Sequence, residues 1–147
     1  MPHQLYDSIL KHRGLTKPTN PIWKMNISPE EQSALAETLH NAYMCGELDQ
    51  YGKEAALYYA VWWQRTYSGG SPSREMIAES AGIPSEDSNT LYKAAREAMH
   101  NWGFKPIHDT RYHFFRSLLL QGGLPMNHVV NNKGNFNHYS VFLKSLV

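Results

Sequence analysis

Apolar side chains recur every three or four positions through most of this chain, a spacing typical of amphipathic α-helices. The strongest segment is residues 58–67, which holds five large aromatic rings within ten positions before the glycine pair Gly69 and Gly70. Each buried aromatic side chain removes about 150–250 Å² from water. Rings on more than one helix face also require covering elements on more than one side. We therefore predict that a helix over residues 50–68 is the central element of the fold.

A second helix is predicted to begin at residues 28–31, which have the sequence Ser-Pro-Glu-Glu. A serine oxygen at this position accepts a hydrogen bond from an early backbone N–H, and Glu31 reaches back to the serine backbone. Proline also suits the first helical position. This capping box predicts a helix that starts after Ser28 and ends at Gly46. Its apolar positions are Leu35, Leu39, Ala42 and Tyr43.

Serine and glycine residues also delimit the shorter helices, one from Ser73 to Gly82 and the next from Ser85 to Gly103. Their predicted inward positions are Met76, Ile77 and Ala81, and then Leu91, Ala94, Ala95, Ala98 and Trp102. Further apolar stripes predict helices at Leu5, Ile9 and Leu10, at Tyr112, Phe115, Leu118 and Leu119, and at Phe136, Tyr139, Phe142, Leu143 and Leu146. The glycine pairs at 69–70 and 122–123 are interpreted as helix C-caps, where glycine adopts positive φ readily.

Six or seven helices and almost no strand pattern predict an all-α fold, a compact helical bundle in a single domain. Residues 1–27 are predicted as an N-terminal arm and linker, and residues 28–147 as the helical core. Cys45 is the only cysteine, which excludes an intramolecular disulfide and a cysteine-rich zinc site. Because the sequence shows neither a signal peptide nor a membrane span, we expect a cytoplasmic protein with no membrane partner.

Charge is distributed unevenly, although the formal net charge is only +1. Residues 31–87 carry nine acidic and three basic side chains, a balance of −6, whereas residues 88–147 carry seven basic and two acidic ones, a balance of +5. Either the two halves attract each other within the fold, or the basic half contacts an anionic partner such as DNA. For DNA, the candidate nucleic-acid-binding residues are Lys93, Arg96, Lys105, Arg111 and Arg116, with Trp102 or Tyr112 available to stack on bases.

The sequence contains no arrangement that predicts catalysis. A nucleophile elbow, a phosphate-binding loop and a dinucleotide fingerprint are all missing from it. His113, Asn127 and His138 follow the order of His-Asn-His endonucleases, but that motif belongs on two strands and a helix, and residues 114–120 are predicted to be helical. We therefore predict no catalytic residue, no metal and no cofactor.

Residues 77–83 resemble the first helix and turn of a helix-turn-helix. Ala78 and Gly82 lie four positions apart, as that motif requires. The next helix would enter the major groove with its N-terminal part. Here that part carries two carboxylates at residues 86–87, and Ser88 stands where the motif has a buried branched residue. A DNA-reading motif and ordinary helix packing through a tight turn are both compatible with this pattern.

Three stretches together carry a family resemblance: residues 59–70 (Tyr-Ala-Val-Trp-Trp-Gln-Arg-Thr-Tyr-Ser-Gly-Gly), 101–103 (Asn-Trp-Gly) and 118–125 (Leu-Leu-Leu-Gln-Gly-Gly-Leu-Pro). In this order they are similar to the N-terminal region of large bacterial proteins that are carried on genomic islands and linked to anti-phage defence. The resemblance covers about residues 50–147, and it implies a module of a larger assembly without supplying a catalytic residue.

We therefore expect a non-catalytic helical recognition or assembly module. Its partner would be another protein or the remainder of a longer chain. The alternative is a DNA-binding domain that uses the helix-turn-helix-like segment and the basic C-terminal half.

Overall fold

The computed structural model describes residues 4–19, 21–104, 115 and 118–123. The five α-helices in this part of the chain are α1 (Gln4–His12), α2 (Pro29–Met44), α3 (Gly52–Arg65), α4 (Arg74–Ser80) and α5 (Ser88–Asn101). Three 3₁₀-helices lie between them, at Ile22–Met25, Leu48–Tyr51 and Ser85–Asp87. Residues 118–120 are also helical, and none of the described residues forms a strand. The predicted all-α class is confirmed. The stripe predicted at 136–146 lies outside the described residues.

Helix α3 is the central element, as predicted from its aromatic rings. All ten of its side chains from Glu54 to Trp63 are buried. The helix packs against α2, against α5 and against the first 3₁₀-helix, and its contact with α5 is the most extensive one. Burial on every face explains why the segment tolerates large rings around its whole circumference.

The central helix is shorter than the predicted span of residues 50–68. A 3₁₀-helix replaces its first predicted turn, and at the other end Thr66 and Tyr67 both donate backbone hydrogen bonds to the Trp62 carbonyl oxygen, at 2.8 and 3.0 Å. Tyr67 still completes the aromatic core, because it is 1% exposed and its ring stacks on Trp63 with centroids 4.4 Å apart. A ring predicted on the helix therefore reaches the core from the turn that follows.

The first glycine pair does not cap the central helix. Gly69 and Gly70 have positive φ angles of 129° and 78°, but the C-cap residue of α3 is Thr66. The pair lies in the loop beyond the helix, where the Tyr67 hydroxyl donates a hydrogen bond to the Gly70 carbonyl oxygen. The C-cap interpretation is wrong for this pair, because Thr66 and Tyr67 already close the helix end.

The second glycine pair lets the chain approach α3 closely. A Cβ atom at Gly122 would lie 2.0 Å from the Ala60 carbonyl oxygen, so any larger residue would displace the two segments. Gly123 has a φ of 74° and follows the helical residues 118–120, as expected of a helix end. Its carbonyl oxygen accepts a hydrogen bond from the Trp63 indole at 2.5 Å.

The N-terminus of α2 contains the predicted capping box. The Ser28 hydroxyl accepts from the Glu31 backbone N–H at 3.1 Å, and the Glu31 carboxylate accepts from the Ser28 N–H at 2.9 Å. Arg13, which follows α1, adds an unpredicted contact: it donates to both Glu31 oxygens, at 2.8 and 2.6 Å. It also donates to the carbonyl oxygens of Met25 and Asn26, at 2.5 and 3.0 Å. One side chain therefore ties α1, the first 3₁₀-helix and α2 together.

The described part of residues 1–27 contributes to the same hydrophobic cluster as the central helix. Its buried side chains, each at most 4% exposed, are Tyr6, Ile9, Leu10, Ile22, Met25 and Ile27. In addition, the fully buried Glu54 of α3 accepts a hydrogen bond from the Tyr6 backbone N–H at 3.1 Å. The segment predicted as an arm and linker therefore packs on the core in this region.

Of the side chains that were predicted to face inward, one is exposed and another is only partly buried. Met76 is 44% exposed, and Ala78 is buried beside Ile77 instead, because residues 77, 78 and 81 share one face of a helix. Trp102 is the C-cap residue of α5 and is only partly buried. Its ring stacks on that of Tyr6, with centroids 5.6 Å apart.

Candidate functional site

Helix α5 exposes a face with two cations, which the exposed Glu97 flanks. Lys93 and Arg96, two of the predicted nucleic-acid-binding residues, are exposed on it together with Asn89 and His100. Their spacing of four, three and four residues places these side chains on one side of the helix. At 1.5 Å of rise per residue, Lys93 and His100 are about 10 Å apart along the axis. The other predicted residues, Lys105, Arg111 and Arg116, and the candidate stacking ring of Tyr112, lie outside the described residues.

Arg74, at the start of α4, joins this face and was not predicted from the sequence. Its guanidinium carbon lies 3.9 Å from the centroid of the Tyr92 ring, and its Nη1 donates to the Asn89 Oδ1 at 3.1 Å. Burial raises the pKa of Tyr92, while the charges of Arg74 and Arg96 lower it. Arg96 follows Tyr92 by one turn of α5. The local sequence around Arg74 indicates only a helix start, so it gave no sign of the contact with Tyr92.

The helix-turn-helix-like segment forms two helices joined by a tight turn. Gly82 occupies the turn with a φ of 72°, and a Cβ atom there would lie 2.7 Å from the His40 Nδ1. The same nitrogen lies 2.9 Å from the Gly82 carbonyl oxygen. Helix α5 begins at Ser88, later than the predicted start at Ser85, because residues 85–87 form a 3₁₀-helix first. The turn is thus packed directly against α2.

The two carboxylates predicted for the N-terminal part of this helix lie in the 3₁₀-helix that precedes α5, and one of them is engaged inside the protein. The Asp87 carboxylate accepts a hydrogen bond from the Tyr43 hydroxyl at 2.6 Å, and this bond raises the pKa of Tyr43. Glu86 is exposed, whereas Ser88 is buried. The cations of this region come from α4 and from the middle of α5, through Arg74 and Lys93.

A groove of about 780 Å³ opens beside α5, where α1 and the start of α3 meet it. Its lining includes three small residues, Gly52, Ala94 and Ala98. The two helices are very close here, because a Cβ atom at Gly52 would lie 2.6 Å from the Ala94 carbonyl oxygen. The stacked rings of Tyr6 and Trp102 also line the groove. Small residues and aromatic rings together give the groove apolar surface.

Charged side chains of both signs also line the groove. The cations are Lys17 and Lys53, and the anions are Asp49 and Glu97. None of the four forms an ion pair with a described residue. Lys53 instead places its ammonium nitrogen 5.0 Å from the centroid of the Tyr6 ring. Burial raises the pKa of the Tyr6 hydroxyl to about 12, so the ring is a neutral partner for this cation.

His113, Asn127 and His138, whose order resembles a nuclease motif but for which no catalytic role is predicted, lie outside the described residues. Within the described ranges, no group of three His, Cys, Asp or Glu side chains is arranged to hold a metal ion. Cys45 is exposed and has a free thiol. In the same part of the chain, no helix has the length and hydropathy needed to cross a membrane.

Comparison with known proteins identifies a family for this chain. Residues 2–124 match the YjiT N-terminal domain, a match that begins earlier than the resemblance at residues 50–147 and takes in α1. No curated protein matches the chain, and no solved structure does either. The family description agrees with the expected N-terminal region of a larger protein. Because the match extends over more than half of its length, the chain belongs to the YjiT N-terminal domain family.

Proposed function

We propose that this domain is a non-catalytic recognition module that docks a protein segment within a larger bacterial protein or complex. The observation that carries the proposal is the groove beside α5, where the Tyr6 and Trp102 rings adjoin charged side chains that make no ion pair with described residues. Protein interfaces typically combine an aromatic or apolar centre with a polar rim. A surface of this kind can bind a partner without catalysing a reaction.

The groove indicates the chemistry of the segment that would fill it. An apolar side chain would pack against the partly buried Trp102 ring, beside the buried Ala94 and Ala98. Acidic and basic side chains of the segment would pair with Lys53 and Glu97. Such charge pairs contribute more to specificity and association rate than to affinity. The segment belongs either to the remainder of the same polypeptide or to a separate protein.

A charge exchange in the groove tests this proposal. We expect Lys53→Glu combined with Glu97→Lys to weaken capture of the partner at least about tenfold, since like charges then face each other across the interface. The complete natural polypeptide is purified from its own host, and associated proteins and contacts between its parts are measured by crosslinking and mass spectrometry. The matched control exchanges Lys11→Glu and Glu30→Lys, which are exposed residues outside the groove lining and keep the same net charge.

Two results would reject the docking proposal. In one, the groove exchange and the control exchange retain the same crosslinks to the same partner with equal affinity. In the other, no crosslink joins this domain to another protein or to another part of its polypeptide. Thermal unfolding of each variant verifies that the exchange leaves the fold intact.

The larger protein is proposed to act in anti-phage defence, in the cytoplasm. The support is the resemblance of residues 59–70, 101–103 and 118–125, together with membership in an N-terminal domain family. The expected result is that a host carrying the intact gene plates phage less efficiently than a host with the domain deleted. The Lys53→Glu and Glu97→Lys exchange should reduce protection as well. Equal plating of phage on all of these strains would contradict the defence role.

Nucleic-acid binding is a second candidate function. Lys93 and Arg96 lie exposed on one face of α5, and Arg74 is held beside them. When a protein contacts phosphates, the logarithm of its association constant falls linearly with the logarithm of the salt concentration. The slope is about −0.9 for each phosphate neutralised on duplex DNA. Binding of duplex and single-stranded oligonucleotides, measured between 50 and 200 mM salt, tests this candidate. An affinity that does not change with salt contradicts it.

A further inference from the structure

The 3₁₀-helix at Ile22–Met25 is bonded to residues 118–123, the last described stretch of the chain. The Ile22 N–H donates to the Gln121 Oε1 at 2.9 Å, and the Trp23 N–H donates to the Gln121 carbonyl oxygen at 2.6 Å. The partners of the first bond are 99 positions apart, so these contacts depend on the tertiary fold. Two successive N–H groups bound to one residue fix the orientation of the two segments as well as their distance.

The glycine pair that follows is held from two further sides. Gly122 packs so closely on α3 that a Cβ atom there would lie 2.0 Å from the Ala60 carbonyl oxygen. Gly123 has a φ of 74°, and its carbonyl oxygen accepts a hydrogen bond from the Trp63 indole. A Cβ atom at Gly123 would lie 3.0 Å from the Cγ and Cδ1 atoms of Trp23. The chain therefore arrives at Gly123 in a fixed position beside the Trp23 ring.

The Trp23 side chain leaves apolar surface uncovered at this point. It is 42% exposed, and among the described residues the other large apolar side chains that are exposed are Met44 and Met76. Lys24 places its ammonium nitrogen 5.9 Å from the Trp23 ring centroid. Tryptophan rings supply large contact areas and are enriched at the centres of protein interfaces. The ring lies outside the lining of the groove beside α5, so it is a separate candidate surface.

The sequence that follows the glycine pair has the chemistry to cover this ring. Residues 124–126 are Leu124, Pro125 and Met126, three consecutive apolar side chains, and the family match ends at the first of them. Consecutive Cα atoms are about 3.8 Å apart, so Leu124 begins next to a glycine that already contacts Trp23. A segment tethered this close to an apolar surface has a high effective concentration there.

We propose that the Trp23 ring is the docking surface for residues 124–126, and that this contact fixes the direction in which the polypeptide continues beyond the family domain. The 3₁₀-helix that carries the ring is held in turn by Arg13, which donates to the carbonyl oxygens of Met25 and Asn26. The following part of the protein is thus oriented relative to α1 and α2. This inference concerns a different surface from the groove and does not depend on it.

The test begins with NMR on the whole chain, in which leucine and methionine methyl groups are labelled. The chain has four tryptophans, and Trp23→Phe assigns the Trp23 signals. In the wild-type protein we expect nuclear Overhauser contacts between the Trp23 ring protons and the methyl groups of Leu124 and Met126.

A pair of serine variants shows whether these side chains cover the ring. Leu124→Ser with Met126→Ser removes the apolar atoms of the docking segment, whereas the control, Val129→Ser with Val130→Ser, makes the same kind of change a few positions further along. The readout is the relaxation of the Trp23 ring protons caused by a soluble gadolinium chelate. It should rise at least about twofold in the docking variant, because the ring loses its cover, and stay unchanged in the control.

The reverse experiment changes the ring instead of the segment. Trp23→Ser should accelerate cleavage by thermolysin within residues 124–126 at least about fivefold, because the segment then opens more often. Met44→Ser, which removes another exposed apolar side chain, should leave the cleavage rate unchanged. If Trp23→Ser fails to fold, the wild-type contacts and the serine variants of the segment decide, since they keep Trp23 intact.

Two results would overturn the proposal. One is the absence of contacts from Trp23 to residues 124–126, with equal relaxation of its ring in the wild-type protein and the docking variant. The other is contacts from the ring to a different part of the chain, or to a second copy, in which case they depend on concentration. Either result would assign another occupant, or none, to this surface.

Discussion

At the residue scale, the contact between Arg13 and Glu31 couples stability to pH. The hydrogen bonds from Arg13 hold the pKa of the Glu31 carboxyl at about 2, below its ordinary value of 4.5. A carboxylate whose pKa is lowered by folding stabilises the native state at pH values above the ordinary pKa of that group. That contribution is lost as the pH falls from about 4.5 toward 2. Both side chains are largely buried, with 17% and 22% of their surface exposed, so solvent screens the contact only in part.

We expect Glu31→Gln to lower the free energy of unfolding at pH 7 by about 1.5–3 kcal/mol, because Arg13 loses its charged acceptor. Urea denaturation at pH 7 and at pH 2.5 measures the effect, and the difference from wild type should shrink at the lower pH. Glu30→Gln is the matched control, since Glu30 is in the same helical turn but exposed. An equal loss at both pH values would show that the Glu31 charge does not carry the effect.

The two contacts of Glu31 differ in how readily the sequence predicts them. The capping box joins residues three positions apart, and its residue types are sufficient to identify it. Arg13 lies 18 positions from Glu31, and this contact exists only because α1 packs against α2. The same holds for Arg74 and Asn89, which are 15 positions apart. Side chains brought together by tertiary packing leave no local pattern.

At the element scale, Gly52 sets how closely α3 and α5 pack. It is the first residue of α3, with φ −59° and ψ −37°, angles that alanine adopts without strain. Helix propensity alone predicts that alanine would stabilise a helix by up to about 1 kcal/mol. Its Cβ atom, however, would lie 2.6 Å from the Ala94 carbonyl oxygen of α5. That oxygen is backbone, so it moves only if the helices separate.

We therefore expect Gly52→Ala to destabilise the protein, by about 1–3 kcal/mol as in other overpacked interiors. Chemical denaturation of the variant gives the change directly. Thr90→Ala, at an exposed position of α5, is the control in which propensity acts without a clash, and it should stabilise by a few tenths of a kcal/mol. Stabilisation by both substitutions would show that the helices have room to separate.

The sequence predicts helix starts better than helix ends and packing. Ser28 and Ser73 begin helices as predicted, since capping depends on a few adjacent residues. The end of α3 was predicted too late because Tyr67 continues the apolar pattern, although the backbone has already left the helix. Met76 was assigned inward because it is apolar, yet the face defined by Ile77 and Ala78 excludes it. Composition does not reveal which of two neighbouring apolar residues faces the core.

At the scale of the whole molecule, the uneven charge of the chain predicted only part of the candidate sites. It indicated that Lys93 and Arg96 share a basic region, and the structure places both on one exposed face. It gave no indication of the groove, because Tyr6, Lys53 and Trp102 come from three separate segments of the chain. A surface built from several elements becomes visible only when the fold brings them together.

The whole molecule also makes a prediction about residues 1–27. The contacts that join α1 to the rest of the domain include the Arg13 hydrogen bonds to Glu31, the bond from the Tyr6 N–H to Glu54, and the stacking of Tyr6 on Trp102. Elements that share a core and several directional contacts unfold as one cooperative unit. We expect the slowest-exchanging amides of α1 and of α3 to exchange with free energies that agree within about 1 kcal/mol.

Native-state hydrogen exchange followed by NMR in low denaturant measures these free energies for individual amides. Arg13→Gln serves as the uncoupling variant, because it removes the contacts to α2 and to the first 3₁₀-helix while leaving the buried face of α1 unchanged. In this variant the α1 amides should exchange when α1 alone unfolds, with a lower free energy than global unfolding. The α3 amides should still exchange with the free energy of global unfolding. If the α1 amides of the wild-type protein already exchange several kcal/mol more easily than those of α3, residues 1–27 are an independent arm despite their packing. In that case the groove, which depends on Tyr6, would be present only while the arm is docked.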